Sequence, residues 1–491
     1  MFVTNLIATN MFVTIMFMAT LTEPSPGSTT TPSSRTLWLT LLVVLVADAL
    51  DLMDATITNV AAPTIVRDLG GGPALVKWLG AAYALALGSL LVVGGRIGDR
   101  YGQRRTFLVG LTGFVAASAL AGLAWNPVSL VAARLLQGAF GALLIPQGMA
   151  IMTRTFPRDM LTKAFGAFGP MLGVFAVGGP ILGGFLIDAD IGGLAWRPMF
   201  LVNIVVGGAG LALAVKILPH LEPDAGVRID LVAAALLGST MLTLLYGLIT
   251  GSSDGWSAQP VAFVVVACVL FAGFVARQRT CADPLVKPSL FANRGFVSGL
   301  VMGLLIFAAF SGLMYVVSLF FQLGLGYTPA RTAVNLLPLT VGIMIGSGVA
   351  MGLLARLGRT TVLLGLLATA TGAGFFALVV HGSGLEAGAW QIAAATGVVG
   401  VGAGMCFTSI FDTALGDIDH DEAGTASGSL SAVQQLAAAV GSATVTTIYF
   451  RTVSGGQVHA MTTSLVTVLG LCVLCLLAVP LLPRRAATIE H

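Results

Sequence analysis

Four ionisable side chains lie within segments otherwise apolar enough to cross a bilayer: Asp48, Asp51 and Asp54 in one, Arg134 in another. A charge in hydrocarbon is costly, so such residues are functional candidates by default. An acid beside an arginine suits reversible proton binding, because the guanidinium lowers the acid's proton affinity in one conformation and releases it in another. The competing reading is a structural ion pair that never titrates. Counting 1.5 Å per residue along the two segments puts Asp54 roughly 24 Å from the inner end of its helix and Arg134 roughly 9 Å from the outer end of its own. Across ~30 Å of hydrocarbon these depths nearly coincide. Asp48, Asp51 and Asp54 follow i, i+3, i+6 spacing and drift only about 120° around a helix axis, so one water-filled cavity could reach all three. Asp48 and Asp51 are therefore candidate proton or substrate-cation sites, against solvation in an inner vestibule.

The elements that position these residues follow from composition. Of 491 residues, 56% are hydrophobic and 9% charged, and the mean hydropathy is +0.95, which identifies an all-α polytopic membrane protein. Windows of bilayer length predict about 14 spans, near 37–62, 75–94, 105–124, 128–152, 162–188, 196–218, 229–250, 259–277, 295–323, 331–355, 360–380, 389–412, 425–450 and 461–482. Sorted by loop, 18 basic residues fall on the side of both tails and 5 on the other (Arg67, Lys77, Arg197, Arg331, Arg451), which predicts cytoplasmic termini. Trp78, Trp125, Trp196, Trp256 and Trp390 fall at helix ends on the outer side and read as an interfacial belt. Asp417, Asp419, Asp421 and Glu422 crowd an inner loop, but the rule counts Lys and Arg, so the topology stands.

Charge is densest in Gly95-Arg96-Ile97-Gly98-Asp99-Arg100-Tyr101-Gly102-Gln103-Arg104-Arg105, between two spans. Its glycines, acid and arginines predict a tight cytoplasmic hinge loop whose side chains pin neighbouring helix ends. Gly352-Leu353-Leu354-Ala355-Arg356-Leu357-Gly358-Arg359 echoes it with the acid and one residue missing. The expected organisation is an extension and linker (1–36), a six-helix bundle (37–218), an inserted helix pair with flanking loops (219–294), a second six-helix bundle (295–482) and a tail (483–491). Two such repeats commonly frame a midplane site. The five cysteines, Cys268, Cys281, Cys406, Cys472 and Cys475, lack metal-ligand spacing with histidine and read as small hydrophobes. There is no basic patch for nucleic acid, no P-loop, and no nucleophile–base cluster or soluble domain for an enzyme or receptor.

With these features in place, the chain resembles the major facilitator superfamily, specifically its fourteen-helix drug:proton antiporter branch. The hinge loop is similar to motif A of that superfamily through Gly95, Asp99, Arg100, Gly102 and Arg104. Asp54-Ala55-Thr56-Ile57-Thr58-Asn59-Val60-Ala61-Ala62-Pro63 resembles the branch's D-x-T-I-x-N-V-A-x-P signature. Leu130 to Gly141 resembles motif B, with Arg134, Gln137 and Gly138 in place and the last glycine displaced by one. Gly179-Pro180-Ile181-Leu182-Gly183-Gly184 resembles the antiporter motif G-P-x-x-G-G. Departures are Phe175 in place of an upstream glycine, Pro198 where an aromatic is usual after Trp196-Arg197, and Asn203 without its usual following proline.

The resemblance implies proton-coupled efflux of lipophilic or cationic drugs by alternating access in a bacterial cytoplasmic membrane, with the proton as coupling ion and no cofactor or metal. Its partners are then the lipid bilayer and small-molecule substrates, not nucleic acid. Asp54 and Arg134, with Asp51 and Asp48, are the expected proton-coupling residues. Gly179, Pro180, Gly183 and Gly184 should bend and pack helix five, sealing the outward half against leaks. Gln137, Asn59, Gln434, Gln435 and Phe310 are the substrate-cavity candidates, whereas Asp412 at the inner end of helix twelve reads as solvated. Export of one endogenous metabolite, lipid or antibiotic is the main alternative, and an uptake symporter fits the helix-five motif less well.

Overall fold

The computed structural model describes residues 34–70, 72–221, 226, 230–281, 283–419 and 422–483. Among the described residues fourteen helices reach 20 residues or more: α1 (Ser34–Leu69), α2 (Gly72–Tyr101), α3 (Gln103–Gly122), α4 (Pro127–Thr155), α5 (Phe168–Asp188), α6 (Pro198–Ile217), α7 (Leu231–Asp254), α8 (Ala258–Thr280), α9 (Arg294–Leu319), α10 (Leu337–Leu357), α11 (Arg359–Ser383), α12 (Ala389–Leu415), α13 (Ala423–Thr452) and α14 (Gln457–Ala478). Each coincides with one expected segment. Among the described residues 12 helices are long and apolar enough to cross a membrane, and α5 and α13 are the two outside that set. The first turns of α13, from Ala423 to Ser431, are mostly Ala, Gly, Ser and Thr, and all are buried. The extension 1–33 and the tail residues 484–491 lie outside the described residues.

Helices α1 to α6 pack among themselves, as do α9 to α14, and α7 and α8 pair with each other. The two groups meet where α13 lies against α2 and α4, and where α10 lies against α5. The α7–α8 pair rests on α2 and α13 through α7. Asp230 starts α7 as a side-chain cap, accepting from the backbone N–H groups of Val232 (3.0 Å) and Ala233 (3.1 Å), and it also accepts from Arg277 Nε of α8 (2.8 Å). The Arg277 bond does most to bring the Asp230 carboxyl down to about 2.

Two sequence expectations change here. The predicted hinge loop is no loop: Gly95 to Tyr101 are the last turns of α2, and the chain breaks only at Gly102, whose φ of 92° suits glycine, before α3 begins at Gln103. Its echo breaks in the same way at Gly358, with φ 52°, between α10 and α11. Of the tryptophans expected at the interface, Trp125 and Trp390 are 77% and 72% exposed, but Trp196 is fully buried. Its indole Nε1 donates to Asp68 Oδ2 (2.9 Å), beside a second bond from Arg197 Nη1 (2.9 Å). Those bonds, the tryptophan's foremost, hold the Asp68 carboxyl below its ordinary value. Trp196 thus staples the end of α1 to the start of α6, where Pro198 occupies the first turn, a position that needs no backbone N–H.

Candidate functional site

Arg134 and Gln137 are three residues apart and so share a face of α4. That face meets α1, and the Arg134 guanidinium pairs with Asp54, both side chains being fully buried. Arg134 Nη1 donates to Asp54 Oδ2 and to Gln137 Oε1 (3.0 Å), while Nε donates to the Leu79 carbonyl of α2 (3.0 Å). The other carboxylate oxygen of Asp54 accepts from Asn203 Nδ2 of α6 (2.8 Å) and Gln137 Nε2 (3.2 Å). Ser118 Oγ of α3 accepts from the same two amides, at 2.8 Å from Gln137 and 3.3 Å from Asn203. The Tyr83 ring lies 4.5 Å and the Phe200 ring 5.9 Å from the guanidinium carbon, closing it off from water. Four elements therefore converge on one carboxylate: α4 and α6 supply its donors, α2 a wall, and α3 the hydroxyl that orients the two amides.

The other two acids of α1 differ. Asp51 accepts the Tyr83 hydroxyl, so one tyrosine faces the arginine with its ring and the second acid with its oxygen. Asp48 is 9% exposed, and its Oδ2 has no partner. The three carboxylates thus run from fully paired to singly bonded to bare over two turns of helix.

Beside them, α5 packs its Gly-rich face on α1. A side chain at Gly179 would come within 2.1 Å of Thr56 Oγ1, and one at Gly183 within 2.5 Å of Ile57. Both contacts flank Asp54 along α1. The close packing expected of the helix-five motif is therefore present at its first and second glycines, Gly179 and Gly183, and the Pro180 side chain lies outside the described residues. Gly183→Leu is expected to cost about 1–3 kcal/mol through overpacking. Measured proton leak should rise or transport stop; unchanged coupling at full expression would show the face to be tolerant.

At the end of α2, Asp99 is fully buried and reaches the N-terminus of α13. It accepts from the backbone N–H groups of Gly424 (3.1 Å) and Thr425 (3.1 Å), from Thr425 Oγ1 (2.8 Å), and from Gln103 Nε2 (3.0 Å). A carboxylate on the free N–H groups of a helix start is a strong contact. Gly95 makes it reachable, since a Cβ there would lie 2.2 Å from the Gly424 carbonyl oxygen. Arg154 of α4 completes the network by donating to Gln103 Oε1 (2.9 Å), and Ser427 of α13 donates to the Pro146 carbonyl (2.8 Å). Arg100, expected with the other arginines to pin neighbouring helix ends, instead lies over the Tyr101 ring at 5.4 Å and takes no part in this latch. Arg104 bonds His220 (2.6 Å) and the Val215 carbonyl (2.6 Å) on α6 and the segment that follows it.

Two further placements depart from expectation. Gln137, expected to line the cavity, is a fully buried member of the ion-pair network in this conformation. Asp412 is not solvated: it is 7% exposed and accepts from Thr162 Oγ1 at 2.5 Å, tying α12 to the short helix Arg158–Gly166 that precedes α5. Phe310 meets Phe407 edge-on at 4.9 Å, and the stack continues through Phe307 and Phe411 to Phe165 and Phe168, so it joins both halves. Gln434 and Gln435 are partly exposed on α13, with Gln435 near Gly88 of α2, and the Asn59 side chain lies outside the described residues. Ser118, Tyr83, Asn203 and Thr162 are uncharged, so a search for ionisable residues passes over them; Asn203 alone left a trace, as a polar residue in an apolar helix.

The molecule is thus a helical bundle in two groups, with an ion pair buried within one group and a carboxylate-to-helix contact between them. A family model for the Major Facilitator Superfamily matches residues 44–442, and the chain belongs to that family. It is 39% identical over 443 residues to a probable actinorhodin transporter of Streptomyces coelicolor, covering 88% of this chain and 76% of that one. It is 31% identical to the tetracenomycin C resistance and export protein of Streptomyces glaucescens, over 86% and 78% of the two chains. It is likewise 31% identical to the multidrug efflux pump LfrA of Mycolicibacterium smegmatis, over 88% and 84%. Among solved structures, the proton:xylose symporter XylE superposes with a TM-score of 0.64 at 14% identity, over 91% of this chain and 95% of that one. The human organic anion transporter MFSD10 gives 0.60 at 18%, over 91% and 100%.

Proposed function

We propose that this transporter exports lipophilic or cationic drugs in exchange for protons, by alternating access in a bacterial cytoplasmic membrane. The observation that carries the reading is the buried Asp54–Arg134 pair with its converging amides, an ionisable pair that costs energy to build into an apolar bundle and repays it only in use. Two of the relatives support the direction of transport, since their names speak of export, resistance and efflux. All fourteen long helices span in this reading, both termini are cytoplasmic, and helices α1–α6 and α9–α14 rock about the site while α7 and α8 stand as an inserted pair. Asp54 takes the proton, and Arg134 sets when it leaves. Asp51 and Asp48 extend the path or receive a cationic substrate. Asp99, with Gly95, Gly102 and Arg104, holds the inner end shut between turnovers. The proton is the coupling ion, no cofactor takes part, and the lipid bilayer and small-molecule substrates are the partners.

A second reading, export of one self-made antibiotic, is favoured by the 39% identity to a probable actinorhodin transporter. Everted membrane vesicles separate the proposals. Uptake of several unrelated dyes that stops when the proton gradient is collapsed is the expected result. Transport of a single antibiotic, with no dye moved, would favour the dedicated exporter; transport that survives collapse of the gradient would remove the proton from both.

A further inference from the structure

A cleft of 680 Å³ opens on the outer surface of the bundle, away from the ion pair, between α3, α4 and the segment after α6. Its mouth is set by Tyr101, Arg104, Arg105 and His220, and no acid lines it among the described residues. Its floor runs along Leu108, Val109, Thr112 and Gly113 on one face of α3 and ends on Phe140 of α4. From Arg105 to Gly113 the floor descends ~12 Å along the helix, a substantial part of one leaflet. Phe140 stands where the resembled motif has glycine, and its ring covers Gly113 so closely that a Cβ there would meet it at 2.1 Å. The ring thus forms the apolar end of the cleft and accounts for the departure from the motif.

The mouth is built for an anion. Arginine only donates, so in the 2.6 Å contact between Arg104 Nη1 and His220 Nε2 the imidazole nitrogen accepts. That leaves Nδ1 as the nitrogen through which the ring can donate. Arg104 Nε is buried without a partner, and Arg105 is exposed. Two guanidiniums and an imidazole N–H at the head of an apolar trough repel a lipophilic cation and leave a small soluble anion nothing to do with the floor. We infer that the cleft is a binding site for an anionic diacyl phospholipid, its phosphate at Arg105 and His220 and one acyl chain along α3 to Phe140.

The test uses the full-length transporter, delipidated in detergent and offered equal amounts of phosphatidylglycerol and phosphatidylcholine with identical acyl chains, with retained lipid counted by native mass spectrometry. Wild type should retain the anionic lipid about fivefold over the zwitterionic one, as one surface arginine contributes. Arg105→Gln and, separately, His220→Phe should bring that ratio close to parity. Thr112→Trp, which fills the exposed wall of the trough without touching the charges, should lower retention of the anionic lipid. Glycerol phosphate in excess should displace none of it. Equal retention of both lipids by wild type, an unchanged ratio in both charge variants, or displacement by glycerol phosphate would each overturn the inference. Thermal unfolding of each lipid-free variant, expected to match wild type, separates a lost site from a lost fold, and Thr112→Trp keeps the test alive if either charge variant misfolds.

Discussion

Asp54→Asn is expected to abolish proton-driven efflux, the largest effect of any single substitution in this chain. It removes the charge that Arg134 faces and replaces an acceptor of three side chains with an amide that must point its own donors at one of them. Stranding a buried guanidinium costs about 3–5 kcal/mol, so expression and unfolding temperature have to be measured together with transport. The double substitution Asp54→Asn/Arg134→Gln separates the two effects. It removes both charges from a site already rich in amides, and should restore much of the stability while leaving efflux against a gradient at background. Substrate exchange without a gradient is expected to persist, because conformational cycling then needs no proton. A double mutant that concentrates substrate as wild type does would make the pair a structural strut and pass the proton to Asp51 or Asp48.

The second large effect belongs to Asp99. Asp99→Ala leaves the Gly424 and Thr425 N–H groups and the Thr425 hydroxyl without their acceptor at a buried helix start, and strips Gln103 of one bond. Losing such contacts costs about 1–3 kcal/mol, which moves the balance between closed and open inner ends by roughly 5- to 150-fold. Transport should fall at least about fivefold on that scale while equilibrium binding of substrate stays near wild type, because none of these atoms belongs to the ion-pair network. Arg100→Ala serves as the control within the same motif: its guanidinium sits over Tyr101 rather than in the latch, so a small effect on transport is expected. If Arg100→Ala proved as damaging as Asp99→Ala, the latch would have to work through a contact that forms only in another conformation.

Element positions were legible because each long apolar run has only one way to satisfy its backbone in lipid, and the helices fall where bilayer-length windows place them. The Asp54–Arg134 pair was legible for a related reason: two charges at one depth in hydrocarbon have few other partners. What stayed hidden was the geometry that polar, uncharged residues confer. Asn203 and Ser118 carry no charge and leave a faint trace in composition, yet both take part in fixing the carboxylate. Asp412 misled because a terminal acid is usually wet, and only the fold brings the short helix holding Thr162 against it. The motif around Asp99 misled in the opposite direction, since its glycines suggest a loop when most serve the close approach of two helices inside continuous α structure.

The composition of α13 bears on how the protein is made. A segment leaving the ribosome enters the bilayer by itself only if its side chains partition favourably into lipid, and α13 is one of the two long helices outside the set that meets the length and apolarity for that. Its hydroxyls bond back to carbonyls one turn earlier, as at Ser427, Ser429 and Thr444, and its first turns are covered by α2 and α4. If all fourteen long helices span, as proposed, the translocon has to hand this helix to a docking surface already assembled from helices that end more than 260 residues earlier, and α14, 22 residues of strongly apolar chain, follows to hold it in place. Chains truncated after α13 should consequently fail to retain it across the membrane, whereas a chain truncated after α12 loses nothing that it could have inserted unaided.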